Sequence, residues 1–276
     1  MIIDAHVHIT SPEILENINS VLAKEPYFAL LASTPKNKFA TGEQVVGEMT
    51  SCGVDKSIVF GFSFADMGLC RAANDYTAEM ARAHDGLIGF MCVPPADKNV
   101  EAEIDRCVSM GLRGVGEVFP DGQNFPIENF AVTKNFGGYL KERRLPVIIH
   151  TNEPVGHRYP GKTDTTPANA AKFAQDHPDV RVLFAHFGGG LLFYELMPEM
   201  KKALRNVFYD TAALPFLYDT AIYDTVKSIG AADKLVFGSD YPLLSPGRYL
   251  QQEGLPEQYA DMIFCKNVMR FLSDEV

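Results

Sequence analysis

The sequence predicts a single α/β domain folded as a TIM (β/α)8 barrel, and three observations predict it. Eight short runs rich in β-branched and aromatic residues, without strict alternation, read as strands buried on both faces. Stretches of helical period separate them, and that alternation implies a parallel sheet with right-handed crossovers. The chain has 276 residues, 46% hydrophobic, which suits one barrel without a second core, so residues 1–276 are expected to form one domain.

The strands are expected at residues 2–8, 56–62, 87–93, 112–119, 146–150, 181–186, 206–211 and 234–240. Helices fall between them at 42–52, 72–84, 100–110, 129–143, 167–176 and 219–228. Several strands follow a helix and a short turn, and Gly53, Gly86 and Gly111 stand where helices commonly terminate. The first βα connection is long, covering about 9–41, with a short helix expected over 12–23. Its remainder is either a surface insertion or an active-site lid.

Composition excludes several classes. A net charge of -10 and a pI near 5.2 disfavour association with nucleic acid or an anionic membrane. Five cysteines, Cys52, Cys70, Cys92, Cys107 and Cys265, are scattered without CxxC spacing, so neither a disulfide framework nor a structural zinc knuckle is expected. No apolar run approaches the roughly 20 residues that cross a bilayer. The expected setting is a reducing cytoplasm.

The chemistry is written at the strand ends. His6-Val7-His8 closes the first strand, and because side chains alternate across a strand, its two imidazoles share a face. Converging neutral imidazoles are half of a transition-metal site. The fourth strand carries Glu117 near its end, the fifth ends in His150, the sixth in His186 and the eighth in Asp240. The intervals of 33, 36 and 54 residues correspond to one, one and two βα units. In such a barrel every strand C-terminus opens on one face, where catalytic residues collect.

With these motifs the chain resembles the amidohydrolase superfamily, in the branch that includes aminocarboxymuconate-semialdehyde decarboxylase-like proteins. The resemblance spans the whole chain. It is carried by Asp4-Ala5-His6-Val7-His8, Ile148-Ile149-His150-Thr151, Phe184-Ala185-His186-Phe187-Gly188-Gly189, Phe237-Gly238-Ser239-Asp240-Tyr241-Pro242 and a terminal helix with Asn267-Val268-Met269-Arg270-Phe271-Leu272. It implies that His6, His8, His150 and Asp240 hold a divalent metal, one or two ions and zinc by first expectation. His186 is then a ligand of a second metal or a catalytic acid/base that polarises a carbonyl. Many binuclear members bridge their metals with a carboxylated lysine on the fourth strand. Glu117 stands there instead, either bridging metals itself or hydrogen-bonding a ligand histidine or the metal water.

Metal-activated water acting on an amide, lactone or other ester, with Asp240 as general base and His186 as oxyanion stabiliser, is the first functional expectation. Nonoxidative decarboxylation of a small carboxylic acid is the alternative. A metal-dependent phosphodiesterase or deoxyribonuclease is a second alternative, weakened by the net charge. A small substrate, neutral or anionic, calls for cationic or hydrogen-bonding partners. The connection after the fifth strand offers His157, Arg158, Tyr159 and Lys162, and Arg248 lies beyond the eighth strand. Phe216, Leu217 and Tyr218 mark either a homo-oligomer surface or a pocket wall. His84 and His177, at helix ends beside acids, read as structural. Cys92 reads as a small buried hydrophobe.

Overall fold

The computed structural model describes residues 1–34, 38–250 and 257–273. Eight parallel strands follow in order: β1 (Ile3–His8), β2 (Lys56–Phe60), β3 (Leu87–Gly89), β4 (Val115–Val118), β5 (Val147–Ile149), β6 (Val182–Phe184), β7 (Val207–Asp210) and β8 (Leu235–Val236). Ladders join β1-β2-β3 and β4-β5-β6-β7-β8. Backbone hydrogen bonds close both seams. At one, Met91 N donates to Gly114 O at 2.8 Å and Gly116 N to Met91 O at 2.9 Å. At the other, Ala5 N donates to Phe237 O at 2.8 Å, Asp240 N to His6 O at 3.0 Å and His8 N to Tyr241 O at 2.8 Å. The sheet is a closed barrel.

The ladders are shorter than the sequence predicts, most of all at β8, which covers Leu235–Val236 within the expected 234–240. Beyond Val236 the contacts to β1 are interrupted, and some backbone N–H groups bond to side chains instead of a partner strand. Gly238 N donates to Thr211 Oγ1 at 3.1 Å and Ser239 N to Asp4 Oδ1 at 2.9 Å. The missing ladder is therefore spent at the end where the site lies.

Helices Gly42–Cys52 and Pro167–Asp176 match the expected bounds. The former opens on a Thr41/Gln44 capping box and ends at Gly53 with φ 73°, the left-handed conformation glycine adopts freely. Met67–Ala83 begins earlier than expected because Asp66 caps it, accepting from Leu69 N at 2.8 Å. The first βα connection is built of three short helices, Pro12–Glu16, Ile18–Lys24 and Pro26–Ala32, rather than one. Positions 35–37 of that connection lie outside the described residues. Among the described residues no helix is long and apolar enough to cross a membrane.

Alternation sorts the strand residues between two cores. Ile148, Leu183, Phe208 and Val236 pack with Ile3, Ala5, Ile58 and Ile88 inside the barrel. Their neighbours Val147, Ile149, Val182, Phe184, Val207, Tyr209 and Leu235 pack outward against the helices. Strict alternation continued from Ala5 would turn His6 and His8 outward. A register shift in β1 between Asp4 and Val7 corrects this, so that Val7 packs outward and both imidazoles face the interior. A second shift, in β4 between Val115 and Val118, does the same for Glu117. Such irregularities next to active sites re-aim side chains.

Candidate metal centre and cavity

His6, His8, Glu117, His150, His186 and Asp240 come together at the C-terminal mouth of the barrel, each at most 9% exposed. They form two triads, His6/His8/Asp240 and Glu117/His150/His186, and within each triad the candidate donor atoms lie within 4.8 Å of one another. Glu117 touches both. Its Oε1 is 3.0 Å from His150 Nδ1 and 3.9 Å from His186 Nε2, while its Oε2 is 3.7 Å from both His6 Nε2 and His8 Nε2. Asp240 Oδ1 lies 3.5 Å from His8 Nε2 and 3.7 Å from His6 Nε2. Two cluster members adopt left-handed backbone, His186 at φ 57° and Asp240 at φ 63°, conformations that non-glycine residues hold only where surrounding structure enforces them.

The hydrogen bonds orient the imidazoles. His6 Nδ1 donates to Asp210 Oδ2 at 2.9 Å, His186 Nδ1 to Ala212 O at 3.0 Å, and His8 Nδ1 faces Gly61 O at 3.4 Å. His150 is turned the other way, its Nε2 donating to Asn152 Oδ1 at 2.9 Å and Gly161 O at 3.0 Å. Each ring is thus tethered through its outward nitrogen and turns the other nitrogen toward the cluster, where His150 Nδ1 also meets Glu117 Oε1 at 3.0 Å. His150 Nδ1 and His186 Nε2 face each other at 3.2 Å. Among the described residues His6 Nε2 is buried with no hydrogen-bond partner. Imidazole nitrogens that converge with two carboxylates, with each ring tethered from behind by a carbonyl or carboxylate, fit a divalent cation.

The carboxylates of the cluster favour positive charge among the imidazoles. Burial opposes charge on His6, yet Glu117, Asp210 and Asp240 outweigh it and raise the imidazole to about 10. Burial would raise Glu117 as well, but His150 and His6 hold its carboxyl down at about 2. Asp240 is depressed too, burial being overcome by its contact with His8 and the nearby His6 and His186. These are the signs of a pocket of negative potential.

Three supporting residues were not anticipated. Asp210, at the end of β7, accepts from His6 Nδ1 through Oδ2, and from His186 N at 2.8 Å and Ala212 N at 3.0 Å through Oδ1. Its signal was present, a carboxylate at a strand end inside the two-unit interval between His186 and Asp240. Asn152 accepts from His150 and also from Thr163 N at 2.7 Å. Phe62 stacks on His8 with centroids 4.7 Å apart and planes 10° off parallel.

Above the cluster lies a cavity of about 580 Å³ whose lining includes His8, Glu117, His150, His186 and Asp240. Of the expected substrate partners, His157 and Tyr159 line it. Arg158, Lys162 and Arg248 are not among its lining residues. Arg158 pairs with Asp164 at 3.1 Å, both side chains largely exposed. Lys162 folds back onto Val155 O and over the Tyr159 ring, and Arg248 lies over Phe216. The cavity's lysine is Lys38, from the first βα connection. Phe216 and Leu217 also belong to the wall.

Solved structures with the same fold include 5-carboxyvanillate decarboxylase from Sphingomonas paucimobilis, with TM-score 0.73, 15% identity and coverage of 99% of this chain and 98% of that one. A dihydroxybenzoic acid decarboxylase from Polaromonas sp. JS666, solved with bound manganese and the inhibitor 2-nitroresorcinol, aligns with TM-score 0.69 at 16% identity over 98% and 96%. A probable 2-pyrone-4,6-dicarboxylic acid hydrolase from Acinetobacter baumannii, with citric acid bound, aligns with TM-score 0.66 at 14% identity over 98% of each chain. No curated protein sequence matches the chain. Several of the named neighbours are decarboxylases. A family model described as amidohydrolase matches residues 3–276, and the chain belongs to that family of enzymes.

Proposed function

We propose that the chain is a metal-dependent carboxy-lyase that removes CO2 from a small aromatic or unsaturated carboxylic acid. The observation that carries this reading is the position of the histidine and carboxylate cluster at the floor of a cavity whose walls are largely apolar. Its support from the comparisons is that most of the named neighbours are decarboxylases of such acids.

In this reading His6, His8 and Asp240, with Glu117, His150 and His186, hold the ion or ions. A divalent ion there would anchor the substrate's carboxylate and an adjacent oxygen and withdraw charge as a Lewis acid. Zinc and manganese both suit a histidine and carboxylate set. Phe62, stacked on His8, and Phe119, at 4.5 Å from the His150 ring, keep water from the reacting end. A poorly solvated carboxylate loses less when its charge spreads into the substrate body as the carbon–carbon bond breaks. The electron pair of that bond takes up a proton at the same carbon, and CO2 leaves. Asp240 and His186 both reach the cavity, and Asp240 is the proton carrier we assign.

Hydrolysis of an amide or lactone is the second reading. It is favoured by one observation, the reach of the two Glu117 oxygens into both triads, which suits a binuclear site.

The test is incubation of manganese- or zinc-loaded protein with a series of hydroxylated benzoates in D2O. Release of CO2 with one deuterium at the vacated ring carbon is the expected result. No CO2 from any acid, together with turnover of lactones, would replace this reading by the second.

A further inference from the structure

Two runs of aromatic rings lead outward from the metal cluster to one helix. From His8 the contacts pass to Phe62 at 4.7 Å, from Phe62 to Phe28 at 5.1 Å, and from Phe28 to Phe39 at 5.3 Å. From His150 they pass to Phe119 at 4.5 Å and from Phe119 to Tyr27 at 4.9 Å. Tyr27 and Phe28 are neighbours on helix Pro26–Ala32, so this one helix roofs both triads. The facing wall comes from the connections after β7 and β8, with Ala213, Leu217, Pro242 and Leu243. Tyr27, Phe39, Phe62 and Leu243 are only partly buried, so apolar surface is left facing the cavity.

The space is larger than the reacting end requires. At about 580 Å³ it falls in the range, roughly 300–1,000 Å³, of pockets that enclose drug-sized ligands. A single-ring acid would leave room for on the order of ten waters at about 30 Å³ each. Those waters would lie against aromatic and aliphatic side chains, an arrangement that apolar contact replaces favourably.

We propose that the cavity has a second, apolar subsite formed by Tyr27, Phe39, Phe62 and Leu243, which takes the body of an acid extending by at least a second fused or linked ring beyond the one that meets the metal cluster. The inference deepens the carboxy-lyase reading, on which it rests for the end that receives the carboxylate. It assigns the first βα connection the role of selecting substrate size.

The experiment is calorimetric titration of manganese-loaded protein with benzoate, 2-naphthoate and 2-naphthol, repeated with Phe39→Ala and, should that variant fold poorly, Leu243→Ala. Folding is checked by circular dichroism. The expected result is 2-naphthoate binding at least tenfold tighter than benzoate, which is about 1.4 kcal/mol, with the ratio falling below threefold in the variant. Equal affinities for the two acids overturn the subsite while leaving the carboxy-lyase reading intact. If 2-naphthol binds as well as 2-naphthoate and loses affinity in the variant, the subsite stands and the carboxylate-at-metal reading falls. If neither naphthalene compound binds, the subsite is overturned.

Discussion

Asp210 holds His6 by accepting from its Nδ1 at 2.9 Å, and with its other oxygen it accepts from the backbone N–H of His186 at 2.8 Å. One fully buried carboxylate therefore orients a residue of each triad. An asparagine has one oxygen in place of two, so it must turn its NH2 toward either the His6 ring or the two backbone donors. Replacing a group that orients a metal-ligating histidine typically costs about 10–100-fold in metal affinity. Asp210→Asn is expected to weaken metal binding by that factor, read by competition with a chromophoric chelator. Unchanged affinity would mean that the ring is held adequately by packing alone.

Glu117 is the residue that links the triads, its two oxygens lying near opposite pairs of imidazoles. If it bridges two ions, Glu117→Gln removes the single negative charge the two sites share and leaves a neutral oxygen to serve one of them. Metal content measured by plasma emission on protein purified without chelator is expected near two per chain, falling toward one in the variant. One ion per chain in both proteins would limit Glu117 to orienting His150, and would remove the observation that favours hydrolysis.

Much of this was legible from the order of residues, and the rest was hidden for physical reasons. The strands were visible because both faces of a parallel barrel are buried, leaving long apolar runs such as Pro146-Val147-Ile148-Ile149. Their ends were not, because residues such as Gly238 and Ser239 exchange ladder partners for Thr211 and Asp4, contacts separated by many residues in sequence. Ligand-type residues at strand ends were found by phase. Their aim was not fully predictable, since Glu117 faces the cluster only through the register shift in β4 and His186 sits on left-handed backbone. Asp210 looked like an ordinary strand-end acid, and only its three donors reveal its part. Charge at Arg158 and Lys162 was legible, but not its direction, which local pairing within the loop decides.

Glu103 gives a pH dependence away from the histidine and carboxylate cluster. Its side chain is fully buried and accepts from Arg71 Nε at 2.9 Å, Arg106 Nε at 2.9 Å and Asn74 Nδ2 at 3.0 Å. Burial pushes its carboxyl up, but the Arg106 and Asn74 hydrogen bonds prevail and hold it at about 2, below its usual 4.5. A depressed carboxyl contributes stability that is complete above the unfolded value and is lost as pH falls from 4.5 through about 2. Glu103→Gln is expected to cost about 1–3 kcal/mol at neutral pH, and to flatten the stability profile over that acid window. Urea midpoints at a series of pH values check both. Parallel profiles for the two proteins would assign the acid sensitivity elsewhere.

Gly189 tests how tightly the cluster's backbone is packed. It follows His186 in a run of left-handed residues, with its own φ at 60°. A Cβ built there would stand 2.3 Å from Asn152 O and 2.5 Å from its carbonyl carbon, so the β5 and β6 connections could not both keep their places. Asn152 is also the residue that accepts from His150 Nε2. Gly189→Ala therefore combines the cost of a side chain in left-handed backbone with displacement of the group that orients the His150 ring. Loss of about 2 kcal/mol or more of stability is expected from the strain and overpacking. Weaker metal binding should accompany it, whereas Gly138→Ala, where a Cβ meets nothing within 4 Å, should leave metal binding unchanged. A Gly189→Ala protein with wild-type melting temperature and metal affinity would show that the β5 connection yields without disturbing His150.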